Sequence, residues 1–396
     1  MKKAGLLCLC VAILCLSTYS TPGSEPPQIE RHPAPMVWDR GALRTLPAYH
    51  PDAGGPLQVD LRGYDLSALD LGGTLEDLLQ ASYDSQTIWP PAGRRPPAFD
   101  PVQIMELGKN PGLGLRQLHA QGITGQGVGI AIIDAPLLVE HQEYAARLRL
   151  YEETDEMGWR YARMHGVAVS SLAVGETVGV APEADLYYIA TTVDMGGDFA
   201  YLARAIRRIL EVNEELPRSR RIWVIAAAVG WNRDSLGYDE IQAAAAEARA
   251  AGLLVVSSSI EEVHGFKFDG LGRHPLADPD AFESYGPGWW WAEGSYGGER
   301  FSGRLLVPMD SRTAASATGS TDYAFFRHGG WSWAIPYLGG MYALAAQVDP
   351  AITPERFWAS AMETGRTVEV DRGGQAIPLG PILDPAALIH ALQEGE

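Results

Sequence analysis

The sequence predicts an α/β protein, a mostly parallel sheet with helices wound on both faces. Four short stretches, 128–133, 184–190, 222–229 and 253–256, are apolar almost throughout. A strand apolar on both sides is one covered on both faces, as in parallel sheets. The second observation is what lies between them. Phe199, Leu202, Ala203, Ile206, Ile209 and Leu210 fall on one helical face, with Arg204, Arg207, Arg208 and Glu211 opposite. Residues 239–251 are alanine-rich and stop at Gly252. Strands alternating with helices give a doubly wound sheet, whose ligands gather at the carboxyl ends of the strands.

Along the chain, Met1-Lys-Lys leads into about a dozen apolar residues, a run shorter than the ~20 that a membrane span needs. Thr18-Tyr19-Ser20 offers small residues for cleavage. Residues 1–20 therefore read as a secretory signal peptide, and the protein is expected to be secreted or associated with the cell envelope. Lipid anchoring through Cys15 is the weaker alternative, because Leu14 stands where a small residue is wanted. All three cysteines (Cys8, Cys10, Cys15) lie in this leader, so the mature chain is expected to hold no disulfide and no thiolate-bound metal.

Residues 21–60 are rich in Pro and Gly without a period and read as a linker or loose arm. Residues 61–100 carry leucine clusters broken by the prolines at 90–97, too few for an independent core, so they are expected to pack on the larger domain C-terminal to them. The expected organisation is a signal peptide over 1–20, an N-terminal extension or pro-segment over 21–109, and one large domain over 110–396. With 31 Lys and Arg against 49 Asp and Glu the net charge is −18, which disfavours nucleic acid and anionic membranes as partners. No later run is long and apolar enough to span a membrane, and a monomer is expected.

Three residues stand where such a sheet presents chemistry. Asp134 directly follows an apolar strand, where a carboxylate needs a partner. His165 precedes Gly-Val-Ala-Val-Ser-Ser-Leu-Ala-Val, which places the imidazole near the start of a buried helix. Ser332 precedes a segment apolar on every side, with Pro336 expected in its first turn, so the serine belongs at or just before a helix start. Each has a plainer reading alone: a cap for Asp134 and Ser332, a satisfied core histidine for His165. Together, in the order Asp, His, Ser, they form one of the chain orders of a nucleophilic triad.

The motifs around these residues resemble those of the subtilisin-like serine peptidases, the subtilases. Gly122-Ile-Thr-Gly-Gln-Gly-Val-Gly-Ile-Ala-Ile-Ile-Asp134 is similar to the family's first motif, and His141-Gln-Glu-Tyr144 to the segment after it. Met164-His165-Gly resembles the histidine motif, and Val178-Gly-Val-Ala-Pro182-Glu-Ala184 the segment behind it. Gly330, Ser332, Ala334 and Pro336 match the serine motif Gly-Thr-Ser-Met-Ala-x-Pro. The resemblance covers roughly residues 110–370. It implies a three-layer α/β/α fold with a mostly parallel central sheet, triad roles for Asp134, His165 and Ser332, a peptide or protein substrate, and no catalytic cofactor. Calcium is frequent in the family, but no loop here identifies a site; Asp278 and Asp280 are too few for the 6–8 oxygens it takes.

Departures from the pattern define further expectations. The family's oxyanion-donating asparagine aligns near Glu261, so a protonated Glu261 or one of Ser257–Ser259 is expected to replace it. Trp231 replaces the last glycine of the substrate-binding strand and is expected to wall a shallow primary pocket. Trp289-Trp290-Trp291 is expected to be a loop lid packed on the sheet, with an exposed binding face as the alternative. The competing functional reading is a catalytically weak homologue that binds peptides. An esterase on another fold is disfavoured by the absence of Gly-x-Ser-x-Gly at Ser332.

Overall fold

A computed structural model describes residues 27–51, 57–154, 159–191, 198–291 and 303–395. The expected signal peptide and its cysteines lie outside the described residues. The central sheet has six parallel strands: β1 (Gln28–Ile29), β2 (Gly129–Asp134), β3 (Leu148–Glu153), β4 (Asp185–Ala190), β5 (Ile222–Ala227) and β6 (Leu254–Ser257), in the order β1-β3-β4-β2-β5-β6. The chain leaves β2 toward β4 and β3, then returns to its other side for β5 and β6. This reversal puts the carboxyl end of β2, with Asp134, at the switch point where doubly wound sheets bind ligands.

Four helices cover the sheet: α1 (Met164–Val174), α2 (Ala200–Glu215), α3 (Tyr238–Ala250) and α4 (Trp331–Val348). The strands alternate between two cores. Ala131, Ile133, Ile225, Ala227 and Val255 pack with α2 and α3. Ile130, Ile132, Val224, Ala226, Leu254 and Val256 pack with α1 and α4. The arginine face of α2 turns outward, where Arg207 meets Glu247 of α3 at 2.9 Å and Arg208 meets Glu152 at 2.8 Å. The three-layer α/β/α architecture is the one the sequence predicts.

Strand β3 has no uninterrupted apolar run, because it lies toward an edge where its charged residues find partners. Arg149 pairs with Asp185 at 2.7 Å while Leu148, Leu150 and Tyr151 are buried. The arm expected to be loose contributes β1, with Gln28 and Ile29 beside Leu150 and Tyr151. Residues beyond it gather Val59, Leu61, Leu66, Leu71, Leu78, Tyr83 and Phe99 into a small core completed by Phe325. Strand Ala81–Asp84 pairs there with Tyr323–Phe326. Among the described residues no helix is long and apolar enough to cross a membrane.

Candidate active site

Asp134 ends β2, and its side chain is almost wholly buried. One carboxylate oxygen accepts the Ala135 N–H at 2.8 Å. Both oxygens lie against His165 Nδ1, at 2.8 and 2.9 Å. A ring nitrogen held by a carboxylate carries the proton, so Nε2 is the basic nitrogen. His165 is the second residue of α1. That helix packs directly on the end of β2. A β-carbon at Gly166 would collide with the Tyr188 hydroxyl and the Ala135 carbonyl, so only glycine lets the histidine approach the aspartate this closely.

Ser332 is the second residue of α4, half-buried, and its hydroxyl donates to the Ala228 carbonyl just beyond β5 at 3.3 Å. The next residue, Trp333, is buried between Phe326 and His165, with ring centroids 4.9 and 5.9 Å away. The structure thus brings Asp134, His165 and Ser332 to one edge, at the carboxyl ends of β2 and β5 and the amino ends of α1 and α4. The amino end of an 18-residue helix, with its positive dipole, faces developing negative charge favourably. The helix starts at Trp331, which puts Ser332 inside the first turn and Pro336 in the second rather than the first. Lacking an N–H, Pro336 leaves the Ser332 carbonyl without its helical partner.

Glu261 does not occupy the site. It is exposed on the short helix Ile260–His264 and pairs with Lys267 at 2.9 Å, its side chain turned to solvent. This corrects the expectation that a protonated Glu261 donates to an oxyanion. Of the three serines, Ser257 accepts the Ser259 N–H at 3.1 Å, and the Ser259 hydroxyl bridges the N–H and carbonyl of Trp231, each at 2.7 Å. The Ser258 hydroxyl makes no hydrogen bond among the described residues. Ser258 follows directly on β6, its N–H donating to the Val229 carbonyl at 3.0 Å and its Cβ close to Gly230.

Trp231 also departs from expectation. It is only 4% exposed and packs near Phe199, 6.1 Å between ring centroids, in the core under α2 and α3. The narrow feature is Gly230, where a β-carbon would lie 2.9 Å from Ser258 Cβ. The tryptophan run is divided. Trp289 is half-buried, its centroid 5.0 Å from that of His328, and its indole donates to the Tyr49 hydroxyl at 3.2 Å. Trp290 stays 46% exposed, and the Trp291 side chain lies outside the described residues. Asp280 accepts from Gly114 N–H and Asn110 Nδ2, both at 2.9 Å, and Asp278 from Asp280 N–H at 2.9 Å, so both carboxylates serve loop backbone and side chains. A hollow of about 300 Å³ lined by Arg221, Trp223, Arg249, Leu253 and Glu355 contains none of the site residues.

Sequence reasoning missed Asp310, a fully buried carboxylate whose oxygens accept the N–H groups of Gly329 at 2.7 Å and Trp289 at 2.8 Å. Burial pushes its carboxyl up to about 6. Nothing in the local pattern Val-Pro-Met-Asp-Ser distinguishes it from a turn aspartate.

The fold and this edge define an α/β protein with an aspartate–histidine pair and a serine at a helix amino terminus. Residues 125–262 match the model of the subtilase family of peptidases, a segment that contains Asp134 and His165. This segment is that of a subtilase-family domain, as the motifs around Asp134 and His165 indicate. The subtilisin-like protease PopC of Myxococcus xanthus (strain DK1622) is 36% identical over 92 residues, covering 20% of this chain and 19% of that one. The match thus spans about a fifth of that relative's length. Among solved structures, the prenylagaramide maturation protease PagA superposes with a TM-score of 0.49 and 14% identity, over 70% of this chain and 98% of that one. The PatG macrocyclase in complex with peptide gives 0.48 and 16%, over 72% and 96%.

Proposed function

We propose that the protein is a secreted subtilisin-like serine endopeptidase that cuts peptide bonds through Ser332, His165 and Asp134. The observation that carries this reading is the bifurcated contact of His165 Nδ1 with Asp134, 2.8 and 2.9 Å, at the sheet edge that also holds Ser332. Nε2 takes the proton of Ser332 as Oγ attacks the substrate carbonyl, and Asp134 stabilises the imidazolium. The tetrahedral oxyanion meets the Ser332 N–H at the start of α4. Collapse releases the amine with the proton from Nε2, and water then frees the acyl group by the same steps reversed. When peptide binds, the Ala228 carbonyl exchanges the Ser332 hydroxyl for a substrate N–H. The close approach of Gly230 and Ser258 favours a small residue before the scissile bond. No step requires a cofactor, and residues 110–396 supply every named group.

The missing asparagine and the outward Glu261 favour a second reading, a weak or inactive homologue that binds peptides. Fluorophosphonate labelling with subsequent peptide mapping separates the two. Modification of Ser332, abolished in Ser332→Ala, is expected of the peptidase. A well-folded protein that takes no label rejects it in favour of the peptide-binding reading.

A further inference from the structure

Trp290 is an exposed indole that cannot turn freely. Its Nε1–H donates to the Gly329 carbonyl at 2.7 Å, and its ring stands nearly perpendicular to that of Trp289 at 5.3 Å. The buried Asp310 closes the arrangement by accepting from the main-chain N–H of both Trp289 and Gly329. Gly329 is therefore held through its N–H by Asp310 and through its carbonyl by Trp290. Only glycine fits there, since a β-carbon would lie 2.5 Å from the Met309 carbonyl oxygen. A β-carbon on Gly330 would lie 3.7 Å from Trp290 Nε1, and Ser332 comes two residues later. Trp231 and Trp333 are at most 6% exposed and serve the core, and the half-buried Trp331 donates its indole N–H to Asp269 at 3.1 Å. A rigid aromatic face left in water beside the nucleophile has the character of a binding anchor, with little rotamer freedom to lose on contact.

We propose that Trp290 is the aromatic contact by which this site holds a large apolar side chain of its peptide, and that Asp310 is the positioning residue that keeps the indole over Gly330. The inference rests on the peptidase reading for its location beside Ser332. An extended peptide advances about 3.4 Å per residue, so the side chain concerned belongs to a residue within two places of the attacked carbonyl. Apolar contact on an indole selects aromatic and branched aliphatic residues over glycine.

The test is a peptide series with Gly, Leu or Phe in turn at each position flanking the cleaved bond, after fluorophosphonate labelling has established the nucleophile independently. One position is expected to prefer Phe over Gly in kcat/KM. In Trp290→Ala that preference falls about 10-fold, the equivalent of one aromatic contact. Trp290→Phe, which keeps a ring but loses the N–H, retains most of it. Asp310→Asn, which turns an amide N–H toward a main-chain N–H, lowers the same ratio less than Trp290→Ala. A Phe-to-Gly ratio unmoved by Trp290→Ala, or an equal loss for every peptide in a variant whose circular dichroism is native, overturns the proposal. If the wild type takes no label, fluorescence polarisation of the same peptides on it reads the Trp290 contact without catalysis. Equal binding of Phe and Gly peptides then refutes it.

Discussion

The two halves of the site are built on different principles. On one side, Asp134 and His165 face each other across the end of β2 and the start of α1, with Gly166, Ala135 and Tyr188 in direct contact behind them. On the other, the groups that would receive substrate come from three separated segments, Ala228–Gly230, Ser257–Ser259 and Trp289–Trp290, with the buried Asp310 holding the last in place. The first half is short-range and stated by local motifs. The second is assembled by strand register and by one buried carboxylate, and three expectations about it needed correction or division: Glu261, Trp231 and the tryptophan run. Chemistry that depends on two adjacent elements survives in sequence as a motif. A binding surface leaves scattered residues whose meaning depends on which way each one points.

Breaking the first half is expected to have the largest effect. Asp134→Asn keeps the size of the side chain but lets Nδ1 become an acceptor, placing the proton on Nε2. The expected result is a fall in kcat on the order of 10⁴, measured on any cleaved peptide. A loss under about tenfold would mean that the Asp134–His165 contact is structural.

The second half is probed next. Ser258 is the serine whose hydroxyl makes no hydrogen bond among the described residues, and it lies just past β6, close to Gly230. Ser258→Ala is expected to lower kcat on the order of 10²–10³ with little change in KM if that hydroxyl meets the oxyanion. Glu261→Gln, at the solvent-exposed pair with Lys267, is expected to change kcat less than twofold. The reverse pattern would return Glu261 to the site.

The smallest expected effect concerns acid. His264 is held neutral by burial and by nearby Arg249, its pKa pushed down to about 4, and its Nε2 accepts the Val255 N–H at 3.1 Å. His328, buried beside Arg327, is pushed down to about 3. Neither belongs to the site itself, though His328 packs against Trp289. Unfolded histidine binds a proton below about 6.5 and these two do not, so stability falls as pH drops from 6.5 toward 4. Asp310 acts in the opposite sense: with its folded pKa raised to about 6, its contribution is lost as pH rises from about 3.8 to 6. Two histidines outweigh one aspartate, and the urea midpoint is expected to fall between pH 6.5 and 4.5. His264→Gln is expected to flatten that slope, and a slope unchanged in the variant would assign the acid sensitivity elsewhere.

The sequence by itself determined the alternation of buried strands and amphipathic helices, because burial on two faces or on one stripe writes itself into residue spacing. It also singled out Asp134, His165 and Ser332, each at the end of an apolar strand or the start of a buried helix. The mixed-charge strand β3 and the edge strand β1 were not legible, since a strand near an edge has no need of an apolar run. Tertiary structure alone decided that Glu261 turns to solvent, that Trp231 enters the core under α2 and α3, that Ser258 comes against Gly230, and that Asp310 binds the Trp289 loop to Gly329. Those outcomes depend on which face of an element a side chain occupies and on contacts between residues far apart in the chain, and a one-residue change in register would reverse them.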